Sequence, residues 1–183
     1  MAAYFSTFIS GLGDLVTEAL KKCLQDCKVD ILLDGLIVYR SNSVVQRITE
    51  LRFFNNSFAL LEMVKEQNSE KAMQSLVNKV LGIDVTYQVI NSLVPVNKRT
   101  SFRLMFSKEN QPTSIGPRML QDLEKKFISN DLFVNRTNPG VEFLFLTRKE
   151  GYGFLGLRLT RHRDYKKTLH AGELRPELAN LMC

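Results

Sequence analysis

The chain has 183 residues, 44% of them hydrophobic and 24% charged, a composition typical of a globular protein with one core or two small ones. Its net charge of +6 is uneven, because residues 1–100 contain 11 Lys and Arg against 10 Asp and Glu, whereas residues 101–183 contain 14 against 9. The basic second half of the chain is therefore predicted to carry a polyanion-binding surface. Three cysteines, an odd number in a chain that is not a small Cys-rich module, argue against a disulfide framework and predict a reducing compartment.

Metal and membrane binding are not expected from the sequence. Cys23 and Cys27 lie four residues apart on a predicted helix, but no second Cys or His pair completes a zinc site. No stretch approaches the ~20 consecutive apolar residues that a membrane span needs. Met1 to Gly13 lacks the basic start of a signal peptide. We therefore expect a cytoplasmic protein with no membrane partner and no metal.

The first 66 residues are predicted to alternate between strands and helices. Asp34-Gly35 separates two apolar runs and is a dipeptide that supplies the positive φ angles of a tight hairpin. Leu12 to Cys23 has apolar residues at helical spacing, and Asn42 or Ser43 can cap a second helix. Strands are predicted over residues 3–10, 29–33, 36–40 and 57–64. The resulting order of strand, helix, strand, strand, helix, strand is the ferredoxin-like arrangement.

The second part of the chain is predicted to continue as a mixed region of helices and strands. Asn68 to Gly82 has one apolar face and a glycine at its end, which indicates a helix. Ile83 to Val96 lacks a clean period and is compatible with a helix or with an extended crossing. A further helix is predicted over residues 115–129, and strands over residues 101–106, 133–134, 141–146 and 152–159. The predicted fold class is therefore α+β.

A dense cationic segment follows the last predicted strand. Residues 158–167 contain five cations and one acid, Asp164. Such a segment suits a polyanion, because neutralising phosphates with Lys and Arg releases counterions. A solvated linker is the other interpretation of a charge run. The five cations are Arg158, Arg161, Arg163, Lys166 and Lys167.

The sequence resembles the N-terminal region of THUMP-domain RNA methyltransferases. The resemblance rests on Arg163-Asp164-Tyr165 and the Leu174 to Ala179 segment that follows it. Phe102-Arg103 in a strand, the Asn138-Pro139 turn and the Gly153 to Leu157 strand also contribute. In addition, Ser10 to Val16 is similar to the entry into the first helix of the small ferredoxin-like domain that precedes THUMP in this family. Gly13 stands where the family commonly has Glu.

The resemblance implies an RNA-binding region that presents its RNA to a catalytic domain. It predicts a ferredoxin-like domain over residues 1–66, an α/β THUMP domain over residues 67–165, and the start of a linker helix over residues 166–183. The implied partner is structured RNA, either tRNA or rRNA. The implied reaction is S-adenosylmethionine-dependent methylation, of the guanine-N2 type in the family members that look most similar. This is carried out by a domain outside these residues.

No enzyme site is predicted within the chain itself. A methyltransferase needs a Gly-rich turn after a strand to hold its cofactor. Family members also carry an Asn/Asp-Pro-Pro-Tyr/Phe motif at the target amine, and neither pattern occurs here. We therefore expect no catalytic residue and no cofactor in this chain, with S-adenosylmethionine bound by the catalytic domain.

Nine residues are predicted to contact RNA. The five cations of residues 158–167 are the expected phosphate ligands. Arg103 is expected to point out of the core, while Lys108 and Arg118 flank a loop that could approach a phosphate backbone. Tyr165 is a candidate for stacking on an unpaired base. Lys125 and Lys126 lie at the exposed end of a predicted helix. They are explained at least as well as cations that complement the helix dipole as by RNA contacts.

Two other functions remain open at this point. The chain could be a free-standing RNA-binding adaptor, or a protein-interaction domain with a basic solvated face. A salt titration of RNA binding separates the last of these from the others, because phosphate contacts lose affinity steeply as salt rises.

Overall fold

The structure, a computed structural model, describes residues 1–82, 100–129, 132–160 and 175–182. Helices and strands alternate along the chain, as expected for an α+β protein. The strands are β1 (Ala2–Thr7), β2 (Lys28–Leu33), β3 (Leu36–Ser41), β4 (Asn56–Lys65), β5 (Ser101–Lys108), β6 (Gln111–Pro112), β7 (Phe133–Val134), β8 (Val141–Arg148) and β9 (Tyr152–Arg158). The helices are α1 (Gly13–Cys23), α2 (Val45–Thr49), α3 (Ser69–Gly82), α4 (Pro117–Ile128) and α5 (Pro176–Met182).

These elements form two compact units. Unit 1 contains Met1–Ala59 and Leu159–Cys183, and unit 2 contains Leu60–Arg158. The chain therefore divides within β4, whereas the sequence predicted a boundary after residue 66. A ten-residue strand with a continuous apolar pattern gives no local signal of a boundary inside it. The described residues after Arg158, namely 159, 160 and 175–182, are assigned to unit 1, whereas residues 161–174, which include the predicted start of the linker at residue 166, lie outside the described residues.

Unit 1 is an antiparallel sheet with the strand order β2-β3-β1-β4. The predicted hairpin between β2 and β3 is confirmed, since Leu33 pairs with Leu36 and Gly35 has a φ of 77°. This positive φ requires glycine or a residue that tolerates it, which is what Asp34-Gly35 provides. Of the two central strands, β3 is buried along most of its length and β1 in its middle residues.

Aromatic rings fill the core of unit 1. Phe5 and Phe58 lie on paired strands and stack at 4.7 Å between ring centroids. Tyr39 is also fully buried, and its hydroxyl lies 3.2 Å from Oγ of Ser6, which donates to Oγ of Ser57 at 2.9 Å. Burial raises the pKa of Tyr39, so the phenol stays neutral and can take part in this polar network.

Unit 2 is a mixed sheet built around the parallel pair β5 and β8. A parallel connection needs a crossover, and α4 lies between these strands in the chain. β9 pairs antiparallel with β8, while β6 and β7 pair with β5. Helices α3 and α4 contact each other, and α3 packs against β8 and β9.

Two close contacts fix the helices of unit 2 on the sheet. Phe102 and Phe143, on neighbouring strands, contact Phe127 of α4 with ring centroids 5.3 and 4.5 Å from it. At the other helix, a Cβ atom on Gly153 would lie 2.9 Å from Cδ1 of Leu76 and 2.8 Å from Cγ2 of Val64. Only glycine therefore lets α3 approach β9 this closely.

The predicted helices and strands of unit 2 mostly match the structure. α4 begins at Pro117 instead of residue 115, because proline suits the first helical position and Gly116 precedes it as the N-cap. The segment Ile83 to Val96, for which two interpretations were left open, lies outside the described residues. None of the helices in the described part of the chain is long and apolar enough to span a membrane.

Candidate nucleic-acid interface

Four of the nine predicted RNA ligands lie among the described residues. They are Arg103, Lys108, Arg118 and Arg158, and all four belong to unit 2. The other five, Arg161, Arg163, Tyr165, Lys166 and Lys167, lie outside the described residues.

Arg158 and Arg103 both bind the carboxylate of Glu142. Arg103 stands opposite Glu142 in the register of β5 and β8, and its Nη2 donates to Oε1 of Glu142. Arg158, at the end of β9, donates from Nη1 to Oε2 of the same carboxylate at 2.8 Å. The three side chains therefore form a cross-strand cluster, which we call the Arg-Glu-Arg cluster.

The Arg-Glu-Arg cluster is largely withdrawn from solvent. The side chain of Arg158 is only 8% exposed, and that of Glu142 is 14% exposed. Arg158 was predicted as a phosphate ligand with few acids nearby, but its guanidinium is paired with Glu142 at the end of the predicted strand. Arg103 is 29% exposed and also donates from Nη1 to the carbonyl oxygen of Arg136 at 3.2 Å. Arg103 is thus only partly directed away from the protein, and its guanidinium is already held.

Electrostatics keep Glu142 ionised in this cluster. Burial alone raises the pKa of a carboxyl group. The hydrogen bond and positive charge of Arg158, together with the charge of Arg103, outweigh burial and hold the pKa of Glu142 below its ordinary value. Two cations on one anion leave one positive charge in the cluster.

Lys108 and Arg118 border the connection between β5 and α4, as predicted. Lys108 ends β5, and its Nζ lies 3.8 Å from Oε1 of Glu70, with side chains 44% and 85% exposed. An ion pair this open to water contributes little, so the ammonium remains available to another anion. Arg118 is exposed in the first turn of α4.

Several further cations of unit 2 were not singled out as ligands from the sequence. Lys125 lies seven residues after Arg118 on the exposed side of α4, a spacing that places the two on one helical face. That seven-residue spacing is visible in the sequence, and it is the signal that would have grouped Lys125 with Arg118 as a candidate RNA ligand. Within the described part of unit 2, the exposed cations that form no ion pair are Lys65, Lys71, Arg118, Lys125 and Lys149.

Other cations of unit 2 are used within the fold. Arg148 is 5% exposed and donates to Glu150 and to Oδ1 of Asn110, the latter at 2.8 Å. Arg136 donates to both carboxylate oxygens of Glu124 at 2.8 and 3.1 Å. In the described ranges, no group of three or more His, Cys, Asp or Glu residues could hold a metal ion. The chemistry that these side chains offer is non-covalent binding of an anion.

Comparisons with known proteins relate this fold to methyltransferases and to an RNA complex. TrmN from Thermus thermophilus superposes with a TM-score of 0.61 at 19% identity, over 88% of this chain and 46% of that one. A predicted N6-adenine-specific DNA methylase from Listeria monocytogenes gives a TM-score of 0.59 at 11% identity, over 97% and 46%. A 4-thiouridine synthetase in complex with RNA and ATP gives a TM-score of 0.52 at 17% identity, over 86% of this chain and 41% of that one.

At these identities the likeness concerns the fold. The chain spans about half the length of the structures that it matches. The sequence matches no protein-family model and no curated protein.

Proposed function

We propose that this chain is the RNA-binding region of an S-adenosylmethionine-dependent RNA methyltransferase. In this proposal unit 1 is a ferredoxin-like domain and unit 2 is a THUMP domain. The strand order β2-β3-β1-β4, combined with the chain order of strands and helices in unit 1, supports the first assignment. The fold shared with TrmN and with an RNA-bound 4-thiouridine synthetase supports the second.

One observation carries the proposal more than any other. Matches that each cover at least 86% of the chain include methyltransferases and a protein whose structure contains RNA. A region common to a methyltransferase and a 4-thiouridine synthetase serves two different chemistries. What the two can share is the recognition of RNA.

The proposed RNA contacts come from two separate sets of residues. Lys108, Arg118 and Lys125 supply exposed cations on unit 2, and Arg161, Arg163, Lys166 and Lys167 supply the cationic segment, with Tyr165 as a stacking residue. Arg158 and Arg103 act indirectly, because Glu142 holds both guanidinium groups. Their role is to hold the end of β9, which leads into the cationic segment, against the first residues of β5 and β8.

The finer features of the proposal follow the resemblance in sequence. The RNA is tRNA or rRNA, the methylated group is the exocyclic amine of guanine, and the protein works in the cytoplasm. S-adenosylmethionine is bound by a catalytic domain outside these residues, and the present chain holds no cofactor.

Two measurements on the full chain test the proposal. Fluorescence anisotropy with unfractionated tRNA, repeated over a salt series, should give an affinity that falls steeply and linearly on a logarithmic plot. Calorimetry with S-adenosylmethionine should give no binding heat. Absent or salt-insensitive RNA binding would favour the protein-interaction alternative, and stoichiometric cofactor binding would contradict the placement of catalysis outside the chain.

A further inference from the structure

Unit 2 contains a groove between the beginning of α3 and the beginning of α4. Its volume is about 300 Å³. Its lining includes Glu70, Lys108, Ser114, Gly116 and Thr147. Three features of this groove point to an anion.

The first feature is the N-terminus of α4, a helix of 12 residues. Its N-cap, Gly116, has no side chain, and no side chain of the described residues caps the first turn. The first N–H groups of a helix have no intrahelical acceptor, and the helix dipole adds partial positive charge at this end. The neighbouring helix differs, because Oδ1 of Asn68 accepts hydrogen bonds from the N–H groups of Glu70 and Lys71 at 2.8 and 3.2 Å.

The second feature is the hydroxyl group of Thr147 on β8. The residue is completely buried, and among the described residues its Oγ1 has no hydrogen-bond partner. A buried hydroxyl without a partner is costly, and such groups in a folded protein need an explanation. A ligand in the groove that Thr147 lines would supply the missing acceptor.

The third feature is the ammonium group of Lys108. Lys108 pairs with Thr147 in the register of β5 and β8, so the two side chains leave the sheet on the same face. Its partner Glu70, at 3.8 Å, is 85% exposed and can be displaced toward solvent. The negative charge of Glu70 nevertheless repels an anion in the groove. Removing this charge should therefore raise the affinity for an anion, whereas removing Lys108 or the Thr147 hydroxyl should lower it.

We propose that this groove binds a phosphate group of RNA. The Thr147 hydroxyl and the first N–H groups of α4 donate hydrogen bonds to phosphate oxygens, and Lys108 neutralises the charge. The assignment rests on the proposed function, and it adds a defined phosphate subsite to it. A phosphodiester within a strand and a terminal phosphate offer the same oxygens, so the experiment must distinguish these two sources.

The main test is Thr147→Val in the full chain, with tRNA as the probe. Valine removes the hydroxyl at nearly constant shape, so the melting temperature should be equal to or above that of the wild type. RNA affinity should nevertheless fall about tenfold, as expected for one lost charge-assisted hydrogen bond. Thr147→Ser keeps the hydroxyl and should retain most of the affinity. Unchanged affinity in a folded Thr147→Val protein would overturn the proposal.

Two further variants cover the case in which Thr147→Val fails to fold. Gly116 has a φ of −55° and a ψ of 141°, and a Cβ atom there would meet nothing within 4 Å. Gly116→Asp should therefore cap α4 without lowering the melting temperature, but its carboxylate should reduce RNA affinity at least tenfold. Glu70→Gln should raise the affinity severalfold. A Gly116→Asp protein that binds as tightly as the wild type would argue against the subsite.

Oligonucleotide probes identify the phosphate that occupies the groove. Oligouridine with and without a 5′-terminal phosphate should bind equally if the groove holds a phosphodiester, and the phosphorylated form should bind more tightly if it holds a terminal group. In either case the backbone amide resonances of Arg118 and Met119 should shift on RNA addition in the wild type and much less in Thr147→Val. If wild type binds RNA without these shifts, the subsite fails while the proposed function stands; if wild type binds no RNA, the proposed function fails first.

Discussion

Arg158 and Glu142 form a largely buried ion pair between neighbouring strands of unit 2. The Nη1 to Oε2 distance is 2.8 Å, and the side chains are 8% and 14% exposed. Arg103 binds the other oxygen of the same carboxylate. Because the arginines share one anion, removing that anion leaves two cations close together in a region poor in water.

Glu142→Gln should therefore destabilise the protein strongly. Breaking a buried ion pair by removing one partner costs about 3–5 kcal/mol in the free energy of unfolding. Arg47→Gln is the matched control, since its pair with Glu50 is 3.7 Å long and exposed on both sides. That change should cost less than about 1 kcal/mol. Urea titrations of both variants measure the difference, and equal losses would show that burial of the cluster has little energetic effect.

The same carboxylate makes stability depend on pH. The pKa of Glu142 is raised by burial but lowered more by Arg158 and Arg103, so the folded value lies below the ordinary 4.5. A group whose pKa is lower in the folded state adds stability above its unfolded pKa, and this stability is lost as pH falls through the folded pKa.

The difference in free energy of unfolding between wild type and Glu142→Gln should consequently be largest near neutral pH. It should shrink as pH falls below about 4.5. Glu150 and Asp26 also have lowered pKa values and act in the same direction in both proteins, so comparing the two proteins isolates Glu142. Urea midpoints measured from about pH 7 to about pH 3 give the result. A difference that stays constant across this range would contradict a lowered pKa of Glu142 in the folded protein.

Gly153→Ala should destabilise unit 2 by crowding α3 against β9. The added Cβ atom would lie 2.8 Å from Val64 and 2.9 Å from Leu76, closer than carbon atoms approach. Overpacking of this kind costs about 1–3 kcal/mol. Gly13→Ala, at the start of α1, is the control. Its Cβ atom would lie 3.4 Å from the side chain of Leu32, an ordinary contact, so this change should not destabilise the protein. Equal melting temperatures for the two variants would show that α3 adjusts without cost.

The sequence predicted those parts of the fold that depend on local patterns. Asp34-Gly35 encodes its hairpin within a few residues, and the helical spacing of Leu123 and Phe127 encodes the buried face of α4. The division within β4 had no such local signal, because the apolar pattern continues through Ala59 and Leu60.

The candidate site was only partly accessible from the sequence. Lys108 and Arg118 flank the connection that the polar composition indicated. The engagement of Arg103 and Arg158 by Glu142 was not predictable, because the partners are 39 and 16 residues apart and meet only through strand pairing. The unpartnered hydroxyl of Thr147 is likewise a property of packing, and threonine on a strand gives no sign of it.

The last prediction concerns the cationic segment. Replacing Arg161, Arg163 and Lys167 together with Ala should weaken RNA binding in a largely sequence-independent way. It should also flatten the slope of log affinity against log salt by up to about three units, roughly one for each phosphate contact. Lys21, Lys22 and Lys28 in unit 1 provide a control of equal charge, because all three are exposed and form no ion pair among the described residues. Their replacement with Ala should leave most of the slope unchanged. Equal slope changes in the two triple variants would mean that net charge alone governs binding; an unchanged slope in the first would shift the RNA surface to the face of Lys108, Arg118 and Lys125.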